Sequence, residues 1–379
     1  PIGYPVMLSL ASAFLGYAGE ATIALGIVAG TLSVGIVYLI ARLLSRDHRM
    51  ALLAAIVAAL IPMHIRYAMV SHPEVVSVLF EGLAVLGALL HARTGRAAPG
   101  WLGAMSLAFA ITVRREAPLA LIPMALAYLV TRSRARPSPL PWIIALLLTA
   151  PHFGDWDEYN WNQMHDESVS EHESILHRVH PRYVVDNFRY VTYWLDGYFQ
   201  PFLFTALALI GWASWRYLPQ GYAALTLGWF TTRLAIYLMH SFTVFIPRYM
   251  ITLTIPVALA AGAGAVALSL PTGPLVAGLV LSGVLHLPFA YAPLYGLELP
   301  GATVSLLAWL HIAVPAAILV WIALRTSGRE RSMAGTALIV CLVLMTTFYT
   351  MNKTTDGLSR TYSTAFELER GTIDGWRTL

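Results

Sequence analysis

Carboxylates and guanidinium groups stand at a few well-defined places in a sequence that is otherwise poor in charge. His72-Pro73-Glu74 falls between two apolar runs, Arg114-Arg115-Glu116 between two more, and Arg248-Tyr249 opens another. Asp155, Asp157 and Glu158 begin a polar stretch, and Arg66 and Arg233 lie deeper within apolar runs. A guanidinium stays charged and presents a planar fork of donors, which suits bidentate binding of phosphate. A carboxylate beside it can bind a sugar hydroxyl or accept a proton. Each group also has a purely structural reading. Glu74 would stabilise the positive end of a helix dipole, and Arg114 would pair with Glu116 or snorkel to headgroups. Arg248 would meet anionic lipid, and the acidic stretch would be solvated surface.

Metal chemistry has weaker support. His165, His172, His177 and His180 share the polar stretch with Asp166, Glu167, Glu171 and Glu173. His177 and His180 have helical i, i+3 spacing, but no tight ligand motif surrounds them. A divalent metal is therefore conceivable and unsupported, and no cofactor is expected to be required. Walker A, Gly-x-Ser-x-Gly and His-Glu-x-x-His patterns do not occur. The single cysteine, Cys341, excludes an intrachain disulfide and a cysteine metal site.

The elements that must hold these groups follow from composition. Of 379 residues, 58% are hydrophobic and 12% charged, about half the ~25% of charged residues usual in soluble domains. Such a chain cannot cover a water-facing surface, and its mean hydropathy of +0.65 agrees. Apolar stretches at 21–44, 50–70, 73–91, 101–116, 117–131, 138–153, 199–217, 221–243, 248–269, 274–295, 302–325 and 333–351 predict a polytopic, all-α transmembrane bundle of a dozen helices. Most approach the ~20 residues that a ~30 Å hydrocarbon core requires. Residues 4–17 are short for a span and suit the interface or the end of a truncated one. The alternating pattern of a membrane barrel is absent.

Arginine placement orients the bundle. The connectors 42–49, 91–99, 132–136, 216–220 and 325–331 fall on one face if the helices alternate, and they hold twelve of the 24 basic residues. The connectors 71–73 and 296–301 on the other face hold none. The positive-inside rule assigns the arginine-rich face to the cytoplasm of a multi-pass cytoplasmic-membrane protein. A net charge of +4 and a pI near 9.2 thus reflect topology, and no nucleic-acid partner is expected. Residues 1–351 form the bundle, with an external loop at 152–198. Residues 352–379 form an external tail, read as the start of a truncated C-terminal region. Glu74, Arg114, Arg115, Arg248, Tyr249 and Asp155 all come to the external side, where a lipid phosphate would project its polar head.

Several segments carry a family resemblance. PIGYPVMLSLASAFLG, the stretch from VAGTLSVGIVYLIARLLSRDHRM through IPMHIRYAMVSHPE, LAFAITVRREAPLALIPMALAYLV and FIPRYMITLTIPVALAAGAGA occur in this order. Together they resemble the GT-C membrane glycosyltransferases, especially the group of protein mannosyltransferases and aminoarabinose transferases (family 39 and its relatives). The resemblance covers most of residues 1–150 and 245–270. It implies inverting transfer of a sugar from a polyprenyl-phosphate donor to a glycan, lipid or protein acceptor at the outer face of the membrane. It makes Glu74 a second acidic position in the sugar pocket. Arg114, Arg115 and Arg248 become candidates for the donor phosphate, Tyr249 packs beside it, and Asp155 is a further substrate contact. The family's main catalytic base, the acceptor-activating carboxylate, lies upstream of its proline-tyrosine-proline segment. This sequence begins at that segment, with Pro1, so the base is expected upstream of Pro1 and the chain is expected to be N-terminally truncated. Three other readings compete. An O-antigen ligase or polymerase would place its essential residues in the 152–198 loop. A lipid or glycan transporter would show inverted repeats and broken helices at midplane, and neither is evident. A non-catalytic membrane scaffold would lack the carboxylate outright.

Overall fold

Proline and glycine set most of the helix boundaries in the computed structural model, which describes residues 3–16, 18–69, 73–114, 116–131, 138–150, 181–184, 202–239 and 247–268. The first helix, α1 (Gly3–Leu15), leads into α2 (Ala18–Ser45), a 28-residue helix that runs unbroken because no proline interrupts it. Arg46 adopts the left-handed conformation (φ 60°) and turns the chain. Asp47 then caps the next helix, its carboxylate accepting the Arg49 amide at 2.8 Å.

The run expected as one helix over 50–70 is two: α3 (His48–Leu60) and α4 (Pro62–Ala68). Pro62 has no N–H to give and disfavours the helical conformation at the residue before it. Ile61 accordingly is extended, with ψ 118°. Next comes α5 (Glu74–Thr94), which ends at Gly95 in the left-handed conformation, its amide bonded to the His91 carbonyl at 2.8 Å. Following it are α6 (Ala97–Val113), a 3₁₀ turn (Ala117–Ala120), α7 (Leu121–Thr131) and α8 (Leu140–Thr149). Beyond a short 3₁₀ turn at Pro181–Tyr183 lie α9 (Phe202–Ala213), the 3₁₀ turn Trp215–Tyr217 and α10 (Tyr222–Met239). A 3₁₀ segment, Pro247–Leu253, precedes α11 (Thr254–Ala267), so the stretch expected at 248–269 also starts as a different element. Pro256 sits within the first turn of α11, where its missing N–H has no intrahelical role. The stretches at 274–295, 302–325 and 333–351, the tail 352–379, and the 152–198 loop apart from 181–184 lie outside the described residues.

Two helices form the centre. α5 packs against α2, α6 and α7, and α11 against α9, α3 and α10. Both are apolar nearly all round and almost wholly buried, as expected of helices enclosed by others. Small residues set these approaches, as is usual between helices in lipid. A Cβ added at Gly87 would lie 2.5 Å from the Cα of Gly103, and one at Gly264 would overlap the Leu207 carbonyl oxygen. Among the described residues, three helices are long and apolar enough to cross a membrane: Gly19–Ser45, Glu74–Thr94 and Met250–Ala267. On the periphery, Leu10 and Phe14 of α1, Ile27 and Leu32 of α2, and Leu147 and Leu148 of α8 stay exposed. Apolar side chains on this scale face lipid. Arg46 and Arg93, from two of the arginine-rich connectors, approach closely enough to repel one another, so these connectors share one end of the bundle.

Candidate functional site

At the opposite end, α5 begins with Glu74 in its first turn, directly after Pro73. Glu74, Ser77 and Glu81 follow at i, i+3 and i+7, a spacing that stacks them on one helix face. All three are buried. The Ser77 hydroxyl donates to Glu81 Oε1 at 3.0 Å.

Facing this stripe is the turn between α6 and α7. Arg114 terminates α6 in an extended conformation (φ −143°, ψ 139°) while its amide still bonds the Ala110 carbonyl. This bend directs a 6%-exposed arginine inward. Its Nε and Nη2 donate to Glu116 Oε2 and Oε1 at 3.2 and 3.3 Å, and its Nη1 lies 4.0 Å from Glu74 Oε1. Burial alone would raise the Glu116 carboxyl, but the Arg114 guanidinium more than offsets this and holds it below the usual carboxylate range.

The third wall comes from α10. Arg233 and Tyr237 are one turn apart on the same face, and both are buried. Arg233 donates through Nη2 to Glu81 Oε2 at 2.5 Å and through Nη1 to the backbone carbonyl of Glu116 at 2.7 Å. The Tyr237 hydroxyl is 2.7 Å from Thr252 Oγ1, which lies in the 3₁₀ segment Pro247–Leu253. That segment also carries Arg248 and Tyr249.

These contacts close a ring. It runs from Glu74 to Arg114, Glu116, Arg233 and Glu81, with both ends on α5 seven residues apart, or ~10.5 Å along the helix axis. A buried charge persists only when paired and hydrogen-bonded, and each guanidinium here spans two partners. Of the residues expected at the site, Glu74 and Arg114 are thus brought together. Arg248 and Tyr249 are placed as far as their backbone, while Arg115 and Asp155 lie outside the described residues, as do the four loop histidines. Pro1 lies outside them as well, because the described residues begin at Gly3. The main base expected upstream of Pro1 lies outside the described residues, and Glu74 is the expected catalytic carboxylate that they include. Sequence reasoning misses Ser77, Glu81, Tyr237 and Thr252, and it notes Arg233 without giving it a role. One signal for Glu81 was present: it is a lone carboxylate inside an apolar run, two helical turns after Glu74. Among the described residues, no group of three or more His, Cys, Asp or Glu is arranged to hold a metal ion.

Known proteins give this arrangement a context. Residues 1–154 match the family described as dolichyl-phosphate-mannose-protein mannosyltransferase. The chain also superposes on ArnT from Cupriavidus metallidurans bound to undecaprenyl phosphate, with a TM-score of 0.56 and 15% identity, covering 93% of this chain and 65% of that one. The apo state of the same enzyme gives a TM-score of 0.50 and 14% identity, covering 93% and 64%. This chain has the GT-C fold. The GT-C bundle seen here spans just under two thirds of the length of the ArnT chains it matches. No curated protein sequence matches it. In GT-C terms the matched 154 residues run from α1 through α8, so they include the α5 stripe and the Arg114 turn but not α10.

Proposed function

We propose that this GT-C protein transfers a sugar from a polyprenyl-phosphate-linked donor to an acceptor at the outer face of the membrane, with inversion at the anomeric carbon. One observation carries the reading: in a fold shared with ArnT, a buried carboxylate–guanidinium ring lies at the end of the bundle opposite the Arg46 and Arg93 connectors. The positive-inside rule makes that end external.

The residues divide the work by chemistry. Arg114 is held by Glu116 and approaches Glu74, so its role is to fix the Glu74 carboxylate beside the sugar pocket. Phosphate then falls to Arg115 and Arg248, whose guanidiniums suit it bidentately, with Tyr249 beside Arg248 and Asp155 a further substrate contact. Glu74 binds a sugar hydroxyl or helps to place the acceptor. Developing negative charge on the departing lipid phosphate is stabilised by the guanidiniums of Arg115 and Arg248, a form of electrostatic stabilisation of the transition state.

The test uses the full-length protein in lipid nanodiscs with labelled polyprenyl-phosphate sugars. Glu74→Gln and Arg248→Ala should each abolish transfer while the protein remains folded. Transfer at the wild-type rate in both variants would remove the residue assignment. No transfer by the wild type from any polyprenyl-phosphate sugar would remove the activity.

A further inference from the structure

Arg233 makes no contact that the donor-binding reading requires, yet it is fully buried and its two contacts reach two separate elements. Nη1 takes the backbone carbonyl of Glu116, in the turn that carries Arg114. Nη2 takes Glu81, two helical turns along the same α5 face that carries Glu74. One guanidinium therefore ties the turn to α5 and sets the height at which Arg114 meets Glu74. A lysine could not do this, because a single ammonium lacks the planar fork that reaches two acceptors in fixed directions. A simple ion pair would not need the second contact, which is to a main-chain oxygen and adds nothing to neutralising Glu81.

We propose that Arg233 is a positioning residue: by clamping the Glu116 carbonyl and Glu81 together, it fixes the Arg114–Glu74 geometry on which the site depends. The inference rests on the donor-site reading above, but the clamp itself is a statement about the turn at 114–117. Tyr237, one turn further along α10, extends the same function to the Thr252 segment through its hydroxyl contact.

Two variants separate clamping from plain stability. Arg233→Lys keeps a charge opposite Glu81 but loses the fork. The double variant Glu81→Leu/Arg233→Met replaces the pair with apolar groups of similar size, a change that often preserves stability. Each is examined in full-length protein by hydrogen exchange at the Ala117 and Leu119 amides, and by transfer from a labelled polyprenyl-phosphate sugar. A misplacement on the order of 1 Å can cost roughly 100-fold in rate, so folded variants should transfer sugar about 100-fold more slowly, with faster exchange confined to the turn. Tyr237→Phe, which keeps the ring and loses the hydroxyl, should slow transfer without altering exchange at the 117–119 amides. Wild-type exchange at the turn in a folded double variant would overturn the clamp, whatever the rate of transfer. Faster exchange with unchanged transfer would also overturn the proposal, since the clamp would then serve only the fold. Wild-type protein that transfers no sugar would instead sink the donor-site reading, and the exchange measurement would still decide the clamp.

Discussion

Five charged side chains, three of them carboxylates and two guanidiniums, are drawn into one ring, and their value depends on completeness. Removing one member of a buried pair strands its partner, at a cost of about 3–5 kcal/mol. Glu81→Leu alone and Arg233→Met alone should each lower the thermal midpoint sharply, and the double variant should recover most of the loss. A loss in the double variant equal to the sum of the two single losses would mean that the pair does not couple. Glu116 gives a pH signature. Its folded carboxyl sits below the ordinary value, so its stabilisation is complete above the unfolded pKa of ~4.3 and disappears as pH falls through the lower folded one. The gap in midpoint between wild type and Glu116→Gln should therefore be constant near neutrality and close in strong acid. A gap that instead widens on acidification would show the sign to be wrong. At this scale the sequence was partly legible. Glu74, Arg114 and Glu116 stand out at the ends of apolar runs. The Glu81–Arg233 contact joins residues 152 positions apart, and neither helix carries a local mark of the other.

Helices were easier to read than their ends. Apolar runs located α2, α5, α6 and α10 within a few residues, because a span must satisfy its backbone internally and can do so only as a helix. The α3–α4 break at Ile61 was obscured by an apolar run that continues across Pro62, although the proline itself was the clue. Close packing was not legible, since a glycine in an apolar run looks the same whether it meets lipid or backbone. Two substitutions distinguish the cases. Gly264→Ala would drive a Cβ into a main-chain oxygen of α9, so α9 and α11 must part, at a cost of about 1–3 kcal/mol or more. Gly35→Ala on exposed α2 meets nothing within 4 Å and should stabilise the helix by about 0.5–1 kcal/mol. Thermal midpoints of the two variants moving in the same direction would contradict this packing.

The whole molecule is governed by where charge is allowed. Apolar side chains cover the periphery, Arg46 and Arg93 meet at one end, and the other end holds a buried polar ring. This division predicts a topology. In a Cys341→Ser background, a cysteine at Arg96 should react with a membrane-impermeant thiol reagent only after the cells are opened. A cysteine in the 152–198 loop should react in intact cells. The reverse pattern would invert the bundle and place the proposed site in the cytoplasm.

Synthesis order adds a demand that the finished protein hides. α5 leaves the ribosome with Glu81 long before α10 arrives with Arg233. Over that interval an acidic residue sits within a span without its partner, and an acidic or basic residue at a helix centre weighs ~2.5–3.5 kcal/mol against insertion. A nascent chain halted before residue 222 should therefore hold α5 less securely in the bilayer than the same chain carrying Glu81→Leu. Alkaline extraction of the two arrested chains would measure the difference. The ionic ring thus makes membrane integration of an early helix contingent on a late one.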